Sequence, residues 1–274
     1  MRMLILLGAI GSLYGTPGGE KLELRNGYPI VKAYLNGQGP FRMLVDTGNT
    51  STSVTPEVGK RIGLTYHYRV VVSSLTGDRV APAARNAHIQ VGAAESMDVE
   101  VIAIDFPGVR GLGRDIDGIL GQNFLGRFPY LIDYGGRRIL FEEQAVRQAA
   151  KMTALPARSV AGRMAVDVSL DGAEAPFRLV LDSGASHMLV FCGSRCPHLN
   201  GVRGDAIAVT NGGSQRVRRG TVRQASLGGV RITNREAALI DTSPDEGDSD
   251  GLLPARWFSA VYVDAGRGEV RLAR

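Results

Sequence analysis

The chain has 274 residues, of which 44% are hydrophobic and 22% charged, and this balance excludes wholesale disorder. The net charge of +5 is a mild excess, and the densest basic cluster, at residues 216–223, has no interleaved aromatic residues. This cluster favours a solvated strand face and no nucleic-acid partner. The chain has 36 glycines, many strand formers and little helical periodicity, which together predict a β-rich fold with many turns.

The N-terminus, MRMLILLGAIGSLYG, has one arginine, a short apolar run and small residues at Ala9 and Gly11. This pattern is typical of a secretory signal peptide and predicts export to the periplasm or secretion. The run is too short to span a bilayer, so no stable membrane insertion is expected. It is also short for a signal. A misplaced start codon and a first β-strand within residues 1–19 are open alternatives, and without a signal the protein would be cytoplasmic.

An internal repeat runs through the chain. Residues 40–46 read PFRMLVD and residues 176–182 read PFRLVLD, and each copy follows an alternating strand and a turn. Downstream, residues 116–141 correspond in order and character to residues 249–274. Each of these segments has Asp-Gly, two apolar residues, an aromatic-containing stretch, a strand that ends in Asp, a Gly-rich turn and a closing strand.

The repeat predicts two homologous lobes, over residues 20–142 and 163–274, with a linker at 143–162. One short helix is expected at residues 55–64, where a proline suits the first helical turn. Another is expected around residues 143–151, at the start of the linker.

Each copy also predicts a β-hairpin between the repeated segments. The turns are SLTGD at residues 74–78 and TNGGS at residues 210–214, and both have the glycine and polar residues that hairpin turns require. The hairpins therefore extend the correspondence between the two copies.

In each copy an apolar run ends at an aspartate, followed by a hydroxyl residue and a glycine. The two triplets are Asp46-Thr47-Gly48 and Asp182-Ser183-Gly184. If an approximate two-fold axis relates the lobes, the equivalent carboxylates meet across it. Like charges in contact cannot both ionise cheaply, so such a pair holds one shared proton over a wide pH range.

A singly protonated carboxyl pair predicts a hydrolytic site. Its ionised member can take a proton from water, while its protonated member polarises a carbonyl group. This chemistry needs no metal and no organic cofactor. The alternative is a purely structural role, because Asp-Thr-Gly and Asp-Ser-Gly are also good turn sequences. The apolar runs before both aspartates, and their equivalence in the repeat, favour the active-site interpretation.

The two cysteines, Cys192 and Cys196, lie four positions apart. In an exported protein such a pair would most simply close a small disulfide loop. The alternative is a zinc site that also uses His187 and His198, although this spacing matches no structural zinc pattern.

The Asp-Thr-Gly and Asp-Ser-Gly triplets, in register within a whole-chain repeat, resemble the pepsin and retropepsin group of aspartic proteases. The segment DGILGQNFL at residues 117–125 is similar to bacterial single-chain relatives of the retroviral protease fold. The likeness extends from about Pro29 to the C-terminus. It implies an all-β fold of two homologous β-barrel lobes related by a pseudo-two-fold axis, and a monomer, because one chain supplies both lobes.

The resemblance also implies an aspartic endopeptidase that acts on a peptide or protein substrate, with Asp46 and Asp182 as the catalytic pair and no cofactor or metal. The other site residues that it implies are Thr47, Gly48, Ser183 and Gly184 in the active-site loops, Leu75, Thr76 and Gly77 in a flap that binds substrate, and Cys192 with Cys196 in a disulfide.

Three features depart from the family pattern. Pro254 replaces the glycine expected after Leu252 and Leu253, Asn49 stands where a smaller residue is usual, and neither hairpin tip carries a tyrosine. Pro254 and the unusual flap leave open a non-catalytic peptide-binding module on the same fold. A processing enzyme with one narrow protein target is a further alternative.

Overall fold

The computed structural model describes residues 18–74, 77–193, 195–210, 213–241 and 249–274. The segment that resembles a signal peptide lies almost entirely outside these residues, so export stays a prediction. Within them, no helix is both long enough and apolar enough to cross a bilayer.

The described chain is nearly all β. Its first half contains β1 (Glu20–Lys21), β2 (Glu23–Arg25), β3 (Tyr28–Leu35), β4 (Gln38–Val45), β5 (Thr52–Val54), α1 (Pro56–Arg61), β6 (Tyr68–Ser74), β7 (Gly77–Val91), β8 (Ala94–Ala103), a 3-10 turn (Val109–Leu112), β9 (Gly118–Leu120), α2 (Gln122–Leu125), β10 (Tyr130–Asp133) and β11 (Arg138–Phe141). Its second half contains α3 (Glu142–Ala149), β12 (Thr153–Val160), β13 (Arg163–Leu170), β14 (Phe177–Asp182), β15 (Met188–Phe191), β16 (Asn200–Thr210), β17 (Gly213–Leu227), β18 (Val230–Ile240), β19 (Gly251–Pro254), a second 3-10 turn (Ala255–Trp257), β20 (Ala260–Asp264) and β21 (Glu269–Ala273).

Two barrel-like units repeat one pairing scheme. The first has the strand order β3-β4-β9-β5-β8-β7 and closes by pairing β3 with β7. The second has the order β13-β14-β19-β15-β18-β17 and closes by pairing β13 with β17. In both units the strand that leads into the aspartate runs parallel to a short apolar strand, β9 or β19. The predicted fold class, two homologous β-barrel lobes with few short helices, is therefore confirmed.

A further sheet contains the closing strands of both copies. Its order is β1-β11-β10-β20-β21-β12, and β10 runs antiparallel to β20, with Tyr130 opposite Val263. The segment predicted as a linker forms α3 and then β12, which pairs with β21 and β13. The lobe boundaries stay a prediction, and this shared sheet ties the end of the first copy to the end of the second.

Burial along the strands explains where the aspartates lie. In β4 and β14 the last residues before the aspartates are buried, including Val45, fully buried, and Leu181, 1% exposed. Phe41 and Phe177, which start these apolar runs, belong to one hydrophobic core that spans both lobes. Burying such residues stabilises the fold by about 2 kcal/mol each. The apolar strands therefore carry both aspartates into the interior, where the lobes meet.

Candidate active site

Asp46 and Asp182 lie against each other at the contact between the lobes. Their exposed fractions are only 5% and 7%, and each carboxyl group packs against the glycine of the opposite loop. Each also accepts from the glycine of its own loop: Gly48 N–H donates to Asp46 Oδ1 at 3.1 Å, and Gly184 N–H to Asp182 Oδ1 at 2.6 Å. The structure thus brings together the two aspartates that the repeat predicts to be equivalent.

The two glycines permit this approach. A Cβ atom on Gly48 would lie 2.6 Å from Asp182 Oδ2, and one on Gly184 would lie 2.8 Å from both carboxylate oxygens of Asp46. These separations are shorter than van der Waals contact. Each loop therefore needs glycine, because its backbone packs against the carboxyl group of the opposite lobe.

The hydroxyl groups of Thr47 and Ser183 join the two aspartate loops through hydrogen bonds. Thr47 Oγ1 donates to Leu181 O at 2.7 Å and accepts from Ser183 N–H at 2.9 Å. Reciprocally, Ser183 Oγ donates to Val45 O at 2.7 Å and accepts from Thr47 N–H at 3.0 Å. Both side chains are buried, at 1% and 0% exposed. The network follows the pseudo-two-fold relation and satisfies four backbone groups that would otherwise be buried without partners.

The environment of Asp182 favours its protonated form. Burial raises the pKa of this carboxyl well above its ordinary value, and the neighbouring Asp46 carboxyl raises it further. The Gly184 N–H and the positive charge of Arg163 act in the opposite direction. The pair therefore meets the conditions for one shared proton.

This raised pKa predicts how stability depends on pH. A carboxyl whose pKa is higher in the folded state than in the unfolded state stabilises the fold most below the unfolded pKa. Its contribution is then lost as the pH rises through the folded pKa. Asp182→Asn cannot ionise, so the variant should gain stability relative to the wild type as the pH rises from about 4 to about 7. Urea unfolding across this range tests the prediction, and a stability difference that does not vary with pH would contradict it.

Side chains that the motifs did not predict support the first loop from below. Gln122, at the start of α2, donates through Nε2 to Thr47 O at 3.1 Å and to the buried Tyr130 hydroxyl at 3.0 Å. Asn123 accepts at Oδ1 from the Thr52 hydroxyl at 2.7 Å. The only sequence signal for this role was two polar residues inside the apolar segment GILGQNFL.

Asn49, which departs from the family pattern, has a structural role in this support. Its backbone oxygen accepts from Gln122 N–H at 2.8 Å, and its side-chain Oδ1 accepts from Ser51 N–H at 3.3 Å. The asparagine thus caps the turn after the first triplet and ties it to α2.

The second loop has a different support, because Pro254 and Ala255 replace the glycine and glutamine of the first lobe. Pro254 is the last residue of β19, directly opposite Asp182 in the parallel pair. The pairing of β14 with β19 continues to this last residue, although a proline has no N–H to donate. The proline therefore changes the support beneath Asp182 while leaving the strand pairing in place.

A cavity of about 620 Å³ opens above the two carboxyls. Its walls come from both lobes, with apolar side chains on each side and a few charged ones. The first lobe contributes Tyr28, Val72, Ile102, Ile104, Phe106 and Ile119, together with Arg79 and Asp105, and the second contributes Leu189, Phe191, Val217, Ala238 and Leu252, together with Arg163, His187, Arg219 and Glu236. A groove of this size and lining suits an extended chain with apolar side chains.

The strands that flank the predicted flap contribute to the wall of this cavity through Val72, Ser74 and Arg79. Strands β6 and β7 form a hairpin in which Ser74 pairs with Gly77, and Gly77 has a φ of 114°, which favours glycine. Leu75 and Thr76 lie outside the described residues. The second lobe has an equivalent hairpin, β16 with β17, with Thr210 opposite Gly213. A hairpin from each lobe therefore contributes to the cavity wall, whereas the family resemblance implied a flap only in the first lobe.

The aspartyl protease family model matches residues 31–124 and 166–256, more than half of the chain. The chain belongs to the aspartyl protease family. Each matched segment contains one of the two aspartate triplets, as expected for a retropepsin-like protein with two lobes. Among curated proteins, no relative matches this aspartyl protease family member.

In this family member Cys192 and Cys196 are joined in a disulfide, with Cα atoms 4.7 Å apart. The zinc alternative, which needs both thiolates, does not fit this pairing. His187 instead contacts Ser186 Oγ through Nδ1 at 2.8 Å and Glu236 Oε2 through Nε2 at 2.9 Å. Among the described residues, no group of three or more His, Cys, Asp or Glu side chains is placed to hold a metal ion.

The disulfide anchors the end of β15, whose Phe191 lines the cavity. Because the bond closes a loop of only five residues, its removal should lower the free energy of unfolding by about 2 kcal/mol. Urea unfolding of the wild type with and without dithiothreitol measures this effect. The variant with both Cys192→Ser and Cys196→Ser is the control, since its stability should not respond to the reductant. A wild-type protein that is equally stable with and without the reductant would contradict the prediction.

Proposed function

We propose that the protein is an aspartic endopeptidase that hydrolyses peptide bonds in the cavity between the lobes. The observation that supports this best is the pair of buried carboxyls, Asp46 and Asp182, which both line one cavity whose walls come from both lobes. Membership of the aspartyl protease family supports the same chemical class.

In the proposed mechanism the pair holds one proton. The ionised carboxylate takes a proton from a water molecule, whose oxygen attacks the scissile carbonyl carbon. The protonated carboxyl donates a hydrogen bond to the carbonyl oxygen and so stabilises the charge that develops there. The tetrahedral intermediate then collapses: the carbon–nitrogen bond breaks, and the leaving amine receives a proton from the pair.

The substrate in this proposal is a peptide or an extended segment of a protein. Its backbone would lie between the two hairpins and pair with a strand edge, while its side chains enter the apolar walls. A monomer is sufficient in the proposal, because one chain carries both loops. Export, predicted from the N-terminal segment, would place the substrate outside the cytoplasm.

A mixed peptide library, incubated with the full chain at several pH values, tests the proposed function. Mass spectrometry should detect cleavage products, and Asp46→Asn and Asp182→Asn provide the matched controls. Cleavage that survives either substitution would overturn the role of the pair. Absence of cleavage at every pH, with peptide binding retained, would instead establish a non-catalytic peptide-binding module.

A further inference from the structure

Arg163 is a buried arginine beside the carboxyl pair. It begins β13, is only 5% exposed, and lines the same cavity as Asp182. In the described part of the chain, no other Lys or Arg is buried to this extent. Burying a guanidinium is costly unless other groups compensate its charge and satisfy its donors. Its position therefore requires an explanation within the site.

The contacts of Arg163 cross between the lobes. Its Nη1 donates to Gly48 O, in the loop of the first lobe, at 3.4 Å, and its Nε donates to Val160 O at 3.5 Å. The guanidinium thus bridges the β12–β13 turn and the loop that carries Asp46. Its positive charge also acts on Asp182 and lowers the pKa of that carboxyl, against the larger effect of burial.

The first lobe has a tyrosine, not a charged residue, at the equivalent position. Tyr28 begins β3 as Arg163 begins β13, and β3 pairs with β4 as β13 pairs with β14. The guanidinium carbon of Arg256 lies 5.3 Å from the centre of the Tyr28 ring. The backbone around the two carboxyls is therefore nearly symmetric, whereas the side chains around them make the electrostatic environment asymmetric.

Other charged and titratable groups face the pair from several elements. They are Tyr134, whose buried hydroxyl lies within electrostatic range of both aspartates and of Arg256, the Tyr28 ring beside Arg256, and the cavity-lining side chains Arg79, Asp105, His187, Arg219 and Glu236. Arg256 and the five cavity-lining groups from Arg79 to Glu236 are more exposed than Arg163, so water and salt weaken their effect on the pair. Arg163 is thus the cation best placed to act on it.

We propose that Arg163 is a positioning residue: it holds the Gly48 loop against the second lobe and favours the singly ionised carboxyl pair over the fully protonated one. This inference rests on the proposed function, in which the singly ionised pair is the active form. Removal of the positive charge should then shift the onset of activity to higher pH.

Two substitutions separate the charge of Arg163 from its hydrogen bond. Arg163→Gln keeps a donor but removes the charge, whereas Arg163→Lys keeps the charge. With a peptide identified from the library, the acidic limb of the kcat/KM profile should move up by about one pH unit in the Gln variant. It should stay in place in the Lys variant. Arg147→Met is the control, since it removes an exposed arginine whose ion pair with Glu143 lies on α3.

A second measurement needs no substrate. The ¹³C chemical shifts of the aspartate side-chain carboxyls, followed across pH in the full chain, report the first ionisation of the pair directly. Asp182→Asn assigns the signals. The titration should move to higher pH in Arg163→Gln by the same amount as the kinetic limb. If the carboxyl titration is the same in the wild type and the Gln variant, the inference is wrong, whether or not the wild type cleaves peptides. If the titration moves but no peptide is cleaved, the proposed function fails and the inference about Arg163 stands.

Discussion

Replacing either aspartate of the buried pair by asparagine is expected to reduce peptide cleavage about 10⁴-fold, which is the upper range for removal of a general acid or base. Asparagine has almost the same shape as aspartate. At position 182 its Oδ1 can still accept the hydrogen bond that Gly184 N–H donates to Asp182. It can neither take a proton from water nor deliver one to a leaving group. The measurement is the initial rate of cleavage of one peptide from the library, at the pH of maximal wild-type activity.

The fold of these variants provides the control. Because asparagine removes an ionisable group from a buried pair of like charges, Asp182→Asn should be at least as stable as the wild type at neutral pH. A variant that is folded and inactive supports the catalytic role. A variant that is folded and cleaves at a tenth of the wild-type rate or faster would contradict it.

Thr47→Val should produce a large loss of stability. Valine has the shape of threonine but cannot donate to Leu181 O or accept from Ser183 N–H, so two buried backbone groups lose their partners. The expected cost is about 3 kcal/mol in the free energy of unfolding. Urea unfolding measures it, with Thr47→Ser as the matched control that keeps the hydroxyl.

Ser183→Ala tests the same hydrogen-bond network from the second lobe. It leaves Val45 O and Thr47 N–H without their partners, and its cost should also be about 3 kcal/mol. The two substitutions disrupt one network, so the double variant should be less destabilised than the sum of the single variants. Strict additivity, or equal stability of Thr47→Val and Thr47→Ser, would show that the hydroxyl network does not hold the lobes together.

Much of the fold was predictable because the sequence is repeated. The correspondence of PFRMLVD with PFRLVLD predicts two equivalent strands that end at equivalent aspartates, and the structure has them as β4 and β14. The short helices α1 and α3 also lie where proline and the linker composition predict them. Each of these predictions rests on residues that are close together in the chain, where local preferences decide the structure.

Other parts of the site depend on residues far apart in the chain. Gln122 reaches Thr47 O, and Arg163 reaches Gly48 O, 115 positions away. Neither contact follows from spacing, because the packing of the lobes decides which long side chain reaches which backbone oxygen. The sheet shared by β10, β11, β20 and β21 was likewise not predictable, since pairing between distant strands depends on the arrangement of the whole chain.

The sequence by itself determined the all-β class, the two-fold repeat and the two Asp-hydroxyl-Gly loops, because these follow from alternating apolar residues and from local turn chemistry. Only the tertiary structure decided that the first loop rests on Gln122 and Tyr130 while the second has Pro254, and that one buried guanidinium lies on one side of the pair. The reason is physical. A repeat specifies equivalent backbones, whereas the charge and support around each carboxyl depend on individual side chains that the packed lobes bring into contact.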